Sequence, residues 1–157
     1  MNPGAGTVVA RPASPADEEL LRAWRNDEQT RRWSRSNAVL AAADHHAWLT
    51  RTLADPHRHL WVVEQDEAPV ATVRHDRIAP GRYEVSVTVA PEVRGRGWAA
   101  PALRTAQCAL QRVDPGLSVI EAHIRVEHGA SMAVFERSGY RRVGADDNGL
   151  VLLELAV

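Results

Sequence analysis

Three stretches of strand period follow one another at 59–64, 69–76 and 82–89, separated only by the turn-prone Asp66-Glu67 and Ala79-Pro80-Gly81. Connections this short join antiparallel neighbours, because a parallel return needs a crossover of about a dozen residues or more. A meander in mid-chain therefore excludes an alternating, all-parallel fold, and the remaining elements must cover its faces or extend its edges. Residues 7–11 read as a short strand. Ser14-Pro15, followed by Asp17, Glu18 and Glu19, starts a helix whose apolar stripe is Leu20, Leu21 and Trp24. A second helix begins near Asp44, carries Trp48, Leu49 and Leu53 on one face, and stops at Asp55-Pro56. After the meander, Ala99, Ala102, Leu103, Ala106 and Leu110 mark a long helix over 97–112, in which Pro101 is tolerable only near the start. Residues 118–125 form a β-branched strand, 129–137 a short helix terminated by Gly139, and 140–143 and 150–155 two last strands. The expected fold class is α/β (α+β), a mixed and mostly antiparallel sheet of six to seven strands with about four helices, in one domain over 1–157.

Charge and residue usage narrow the function. Nineteen basic residues against twenty acidic ones leave a net charge of −1, so no overall field holds nucleic acid or an anionic membrane. Every basic residue is Arg; the absence of Lys excludes Schiff-base chemistry and a phosphate loop ending in Gly-Lys-Ser/Thr. Cys108 stands alone, which excludes an intrachain disulfide and a cysteine zinc site, and its place near the long helix's apolar stripe reads as a buried, inert thiol. His45-His46 and His57-x-His59 match no zinc spacing, so no metal is expected. A start without signal-peptide character and the lack of a run of about 20 apolar residues point to the cytoplasm.

The segment 85–103 carries the most chemistry: a strand runs through a turn into a glycine-bearing loop and then into the long helix. Gly95 and Gly97 let backbone approach a ligand, the free amides of the helix start favour a pyrophosphate, and Arg94 and Arg96 add charge. The same residues also fit an exposed basic turn, and Gly95-x-Gly97-x-x-Ala100 with Glu121 loosely fits a dinucleotide fingerprint, though that needs a parallel unit. Glu84 alternates with Tyr83 and Val85 along the strand, on the face of Ser86 and Thr88, so it can meet a cleft while the valines pack. A carboxylate so placed can take up a proton from a ligand, which makes Glu84 a candidate base.

The string Arg94-Gly95-Arg96-Gly97-Trp98-Ala99 resembles the Arg/Gln-x-x-Gly-x-Gly/Ala motif of the GNAT N-acetyltransferases, and 87–91 and 128–144 resemble that family's other acetyl-CoA segments. The resemblance spans almost the whole chain in element order. It implies acetyl-CoA as co-substrate, a sheet splayed at the strand Arg82-Val89, and a Glu at position 84 acting through water. It also implies that Val87 and Val89 pair with the pantetheine amides, that an amide near Val89 faces the oxyanion, and that Arg94 to Ala99 hold the pyrophosphate. Many relatives protonate the leaving thiolate with a Tyr where this chain has Phe135. His128 and Ser131 then remain as donors or pantetheine contacts, while Tyr140 reads as a packing residue with its hydroxyl at the sheet surface.

Arg11-Pro12, the helix end Trp24-Arg25-Asn26-Asp27 and His46-Ala47-Trp48-Leu49 resemble the branch acting on amino sugars, notably nucleotide-linked ones. That implies Asn26, His46 and the strand from Thr72 to His75 around the acceptor, with Arg25, Arg31, Arg32 or Arg74 for a diphosphate. Trp24 and Trp48 equally suit core packing. The expected partner is a small-molecule amine, with a homodimer left open and neither nucleic acid nor membrane. The alternatives are acetylation of a protein N-terminus or an aminoglycoside, or a non-catalytic acyl-CoA module.

Overall fold

A computed structural model describes residue 3 and residues 6–157. The loose start read from the sequence lies partly outside these residues. Seven strands form one sheet: β1 (Val8–Pro12), β2 (Arg58–Gln65), β3 (Ala68–Ala79), β4 (Arg82–Val89), β5 (Val119–Ile124), β6 (Arg141–Ala145) and β7 (Val151–Ala156). Their spatial order is β1-β2-β3-β4-β5-β7-β6, and every neighbouring pair is antiparallel except β4 and β5. The antiparallel meander rules out the dinucleotide alternative, whose glycines must follow the first strand of a parallel unit.

Among the described residues five α-helices accompany the sheet: α1 (Glu18–Asn26), α2 (Glu28–Trp33), α3 (Ala42–Ala54), α4 (Ala99–Val113) and α5 (Gly129–Arg137). The helix absent from the sequence reading is α2, six residues long and without a buried side chain, so no apolar period announces it. Its start is nonetheless chemical: the Asp27 carboxylate accepts from the Thr30 amide at 3.2 Å and caps the turn. At the other end of α1, Arg11 grips Asp17 through two 2.8 Å bonds, and Asp17 accepts from the Ser14 amide at 2.8 Å, which ties β1 to the helix start. That bidentate grip, opposed by burial and aided by the Ser14 bond, holds the Asp17 carboxyl below its ordinary range.

Strand alternation sorts the sheet into two faces. Trp61, Val73, His75, Tyr83, Val85, Ile120 and Leu153 are buried along one of them. In α4, Ala102, Leu103, Ala106, Ala109 and Leu110 are buried and the helix packs on β1 to β4. Arg74, Glu84, Ser86 and Glu121 share the other face, where Arg74 stacks on the α3 residue Trp48 at 5.7 Å. Pro101 is the third residue of α4, inside the first turn that has no intrahelical amide bonds to lose. Gly139, at φ +94, ends α5 as expected, with the Tyr140 amide donating back to the Phe135 carbonyl at 3.0 Å.

Candidate active site

The sheet opens where its one parallel pair lies. β4 and β5 are in register only from Arg82↔Val119 to Glu84↔Glu121, after which the two strands part company. On its other side β4 stays paired to β3 as far as Ala71↔Val89, and the Ala90 amide still bonds the Val70 carbonyl at 2.9 Å. In an antiparallel ladder alternate residues bond the same neighbour, so the even-numbered residues of β4 bond β3. The amides and carbonyls of Val85, Val87 and Val89 therefore point the other way, into the gap. Their side chains pack toward the core and leave the backbone as the lining. Val87 and Val89 thus present backbone amides to the gap.

The loop that follows β4 closes the far end of this gap. Gly95 and Gly97 adopt φ +75 and +80, and a Cβ at either would meet nothing within 4 Å. Such open space above a left-handed backbone leaves the loop open to close approach by a ligand. The first turn of α4 carries no acidic residue, so its dipole and the amides of Ala99 and Ala100 stand uncompensated. Arg96 is exposed beside it. Arg94 instead turns back to α2, donating to the Asp27 carboxylate and, at 2.9 Å, to the Thr30 hydroxyl, and this contact with Arg94 lowers the Asp27 pKa. Trp98 is 1% exposed, with its ring packed in the core.

Glu84 sits at the mouth of the gap, opposite Glu121 in the last register step. Its side chain is 27% exposed, and its Oε1 accepts from the Arg35 guanidinium at 2.8 Å. Arg35 in turn lines an open cavity of about 500 Å³ with Arg125, Val126, Glu127, Asn148, Gly149 and Leu150. The other carboxylates of this face are taken: Arg82 bonds Glu121 at 3.0 Å and also Glu154, while His123 bridges Glu121 at 2.8 Å and Asp146 at 2.7 Å. Burial pushes the His123 imidazole down, but the hydrogen bonds to Asp146 and Glu121, with Glu84 nearby, outweigh it and raise its pKa. Sequence reasoning missed Arg35, Arg82 and His123. The signal for the last two was present, since Arg82 precedes Glu84, and His123 follows Glu121, by two residues.

The profile of the acetyltransferase (GNAT) domain matches residues 7–141, most of the chain. The chain belongs to the GNAT acetyltransferases. As a member of that family it is an acetyl-CoA-dependent acetyltransferase. No curated protein matches it in sequence. Among solved structures it is similar in fold to the aminoglycoside acetyltransferase AAC(6')-Ib in complex with coenzyme A, at TM-score 0.82 and 17% identity over 96% of this chain and 95% of that one. The spermidine N-acetyltransferase of Vibrio cholerae, in complex with coenzyme A and spermine, gives TM-score 0.81 and 16% identity over 96% and 94% of the two chains. A domain from Methanocaldococcus jannaschii gives 0.82 and 16% over 96% and 99%.

In this acetyltransferase the other expected site residues fall in two groups. His128 is the residue before α5 and Ser131 lies in its first turn, on the β5 side of the gap. The His128 ring stacks on Trp33 of α2 at 4.1 Å and 5°, and burial, with Arg32 adding, lowers its pKa, so the ring is neutral at pH 7. Phe135 is buried edge-on against Tyr140 at 4.9 Å, so its side chain belongs to the core and not to a cofactor surface. Tyr140 is only 4% exposed, more enclosed than a hydroxyl at the sheet surface implies, and burial raises its pKa.

The three expected acceptor contacts are elsewhere. Asn26 donates to the Leu40 carbonyl at 2.9 Å and accepts from its amide at 2.8 Å, which uses both ends of the amide to hold the chain between α2 and α3. His46 pairs with Glu18 of α1 on the outer side of α3, 66% exposed. His75 is 1% exposed and, paired with Val85, lies on the opposite sheet face from Glu84. Of the arginines proposed for a diphosphate, Arg25 bonds the Ser36 carbonyl, Arg31 the Asn26 and Asn37 carbonyls, and Arg74 Asp76. Cys108 is exposed, two residues past Ala106 and so turned off the buried stripe. Among the described residues no group of three or more His, Cys, Asp or Glu could hold a metal ion, and no helix is long and apolar enough to cross a membrane.

Proposed function

We propose that this acetyltransferase acetylates a primary amine on a nucleotide-linked amino sugar, by direct attack on the thioester with Glu84 as base through a water molecule. The observation that carries the reading is the position of Glu84 at the last paired step of β4 and β5, between the backbone-lined gap and the Arg35 cavity. Bound acetyl-CoA supplies a thioester carbonyl and a thiol leaving group. Gly95, Gly97 and the start of α4 receive its pyrophosphate, and Val87 and Val89 orient its pantetheine arm with amides already aimed into the gap. An alkylamine is mostly protonated at pH 7, so the Glu84 carboxylate must remove a proton before attack. An amide near Val89 faces the developing oxyanion, and His128 or Ser131 stands on the side of the departing sulfur.

The sugar-nucleotide reading favours an anion-bearing acceptor over a polycation. Glu121, Glu154 and Asp146 are already bonded to Arg82 and His123, so little free negative charge remains to attract a polyamine or aminoglycoside. The cavity wall next to Glu84 carries two arginines against one carboxylate, Glu127.

The test is release of free coenzyme A thiol from acetyl-CoA against a 4-amino-sugar nucleotide, aminoglycosides and short peptides. The sugar nucleotide is expected to turn over, and Glu84→Gln to lower kcat by about 10²- to 10⁴-fold. Turnover confined to aminoglycosides or peptides refutes the acceptor; unchanged kcat in Glu84→Gln refutes the base.

A further inference from the structure

The Arg35 guanidinium faces two ways. It holds one oxygen of Glu84 at 2.8 Å, and it forms part of the wall of the adjoining 500 Å³ cavity. Its side chain is 81% exposed and its contact with Glu84 is a single ion pair, so little holds it in place. A single contact from a guanidinium to a carboxylate oxygen is weaker than the two-pronged grip the same group makes on a phosphate or a second carboxylate. Arg125, on the same wall, is oriented by donation to the Ser34 carbonyl at 3.0 Å. Together the two arginines line the cavity that reaches Glu84 through Arg35, and Glu127 is the opposing charge on that wall.

We infer that Arg35 is a specificity-determining residue: an anionic group on the acceptor, phosphate or carboxylate, draws its guanidinium off Glu84 and so frees the carboxylate oxygen that must take the amine's proton. The inference rests on Glu84 being the base. An acceptor without the anion leaves the Arg35 contact intact and brings its ammonium up against two guanidinium groups. Recognition of the distal anion and readiness of the base are thereby one event. The step moves no covalent bond; one ion pair is exchanged for another, and the amine's proton passes to Glu84 afterwards.

The experiment compares three matched amines, glucosamine, its 6-phosphate and its 6-carboxylate, in the unmodified protein, Arg35→Ala, Arg35→Lys and Glu84→Gln. The unmodified protein is expected to prefer the anionic amines in kcat/KM by about tenfold or more, as expected for a charge-assisted bidentate contact. Whichever of phosphate and carboxylate gains more identifies the anion. Arg35→Ala is expected to remove most of that preference, chiefly through KM, and to raise kcat/KM for plain glucosamine about two- to threefold as the base is released. Arg35→Lys, which keeps the charge and loses the fork, is expected to fall between them. A preference unchanged in Arg35→Ala, with Glu84→Gln inactive, overturns the role of Arg35 and leaves the base standing. Full turnover in Glu84→Gln overturns both.

Discussion

Asn26 shows how a polar side chain at a helix end can resemble a ligand contact and be a clamp. Its amide closes a pair of hydrogen bonds with the Leu40 backbone, 14 residues on, and so fixes the approach of α3. Asn26→Ala is expected to cost about 1–3 kcal/mol, because the Leu40 amide and carbonyl lose their partner in a half-buried setting. Thermal unfolding measures this, and Asn26→Asp, which keeps the acceptor but not the donor, is expected to lose less. His75 was misplaced for a different reason. Its strand was read correctly, but Glu84 meets Asp76 across the ladder and not His75, and that register is set by β3 and β4 together. Glu84 itself was legible, since alternation with Tyr83 and Val85 already put it on the face opposite the packed residues.

Among the elements, the turn between β2 and β3 stores strain. Asp66 and Glu67 hold φ +49 and +70, a left-handed conformation that costs an ordinary side chain roughly 1–2 kcal/mol. Asp66 recovers part of that, because its carboxylate accepts from the Thr7 amide at 2.9 Å and its own amide donates to the Thr7 carbonyl at 2.9 Å, fastening β1 to the turn. Among the described residues Glu67 makes no comparable bond to β1. Glu67→Gly is therefore expected to stabilise the fold by about 1 kcal/mol, a rise in the denaturation midpoint with unchanged slope, whereas Asp66→Gly is expected to be neutral or worse. The helix α2 makes the complementary point: Asp27, which the sequence reading placed at the end of α1, caps α2, and without an apolar face the helix exists by virtue of contacts at its ends, to Arg94 and between Trp33 and His128.

Across the whole molecule, buried histidines set the response to acid. Burial, with His59 adding, pushes the His75 pKa down to about 3 from its ordinary 6.5. Its Nδ1 accepts from the Trp61 indole at 3.1 Å, which places the ring proton on Nε2. Above pH 6.5 the ring is neutral whether the chain is folded or not. As pH falls from there toward 3 the unfolded chain binds a proton that the folded one refuses, so stability drops by up to about 1.4 kcal/mol per pH unit. His45, lowered chiefly by burial, adds in the same direction; His123, raised, favours the fold below its ordinary pKa and loses that contribution as pH rises through its folded value. In a denaturant titration between pH 6.5 and 5, His75→Gln is expected to flatten the slope of stability against pH. An unchanged slope refutes burial of neutral His75 as its source.

Local chemistry determined the element types, because the period of strands, the stripe of α4, the Ser14–Asp17 turn that leads into α1 and the glycine terminator of α5 are encoded within a few residues of where they act. It also determined the open glycine loop before α4, since two glycines ahead of a helix start need no distant partner to adopt positive φ. Register, sheet order and the choice of neighbours came from tertiary structure alone. The gap exists because β5 returns parallel to β4 and pairs with it for three steps only, a contact between residues nearly 40 apart in the chain. The same long-range packing put Arg35 against Glu84 and turned His75 to the far face. Each of these depends on which of two faces meets a partner, and a strand or helix read alone defines its faces without saying what will cover them.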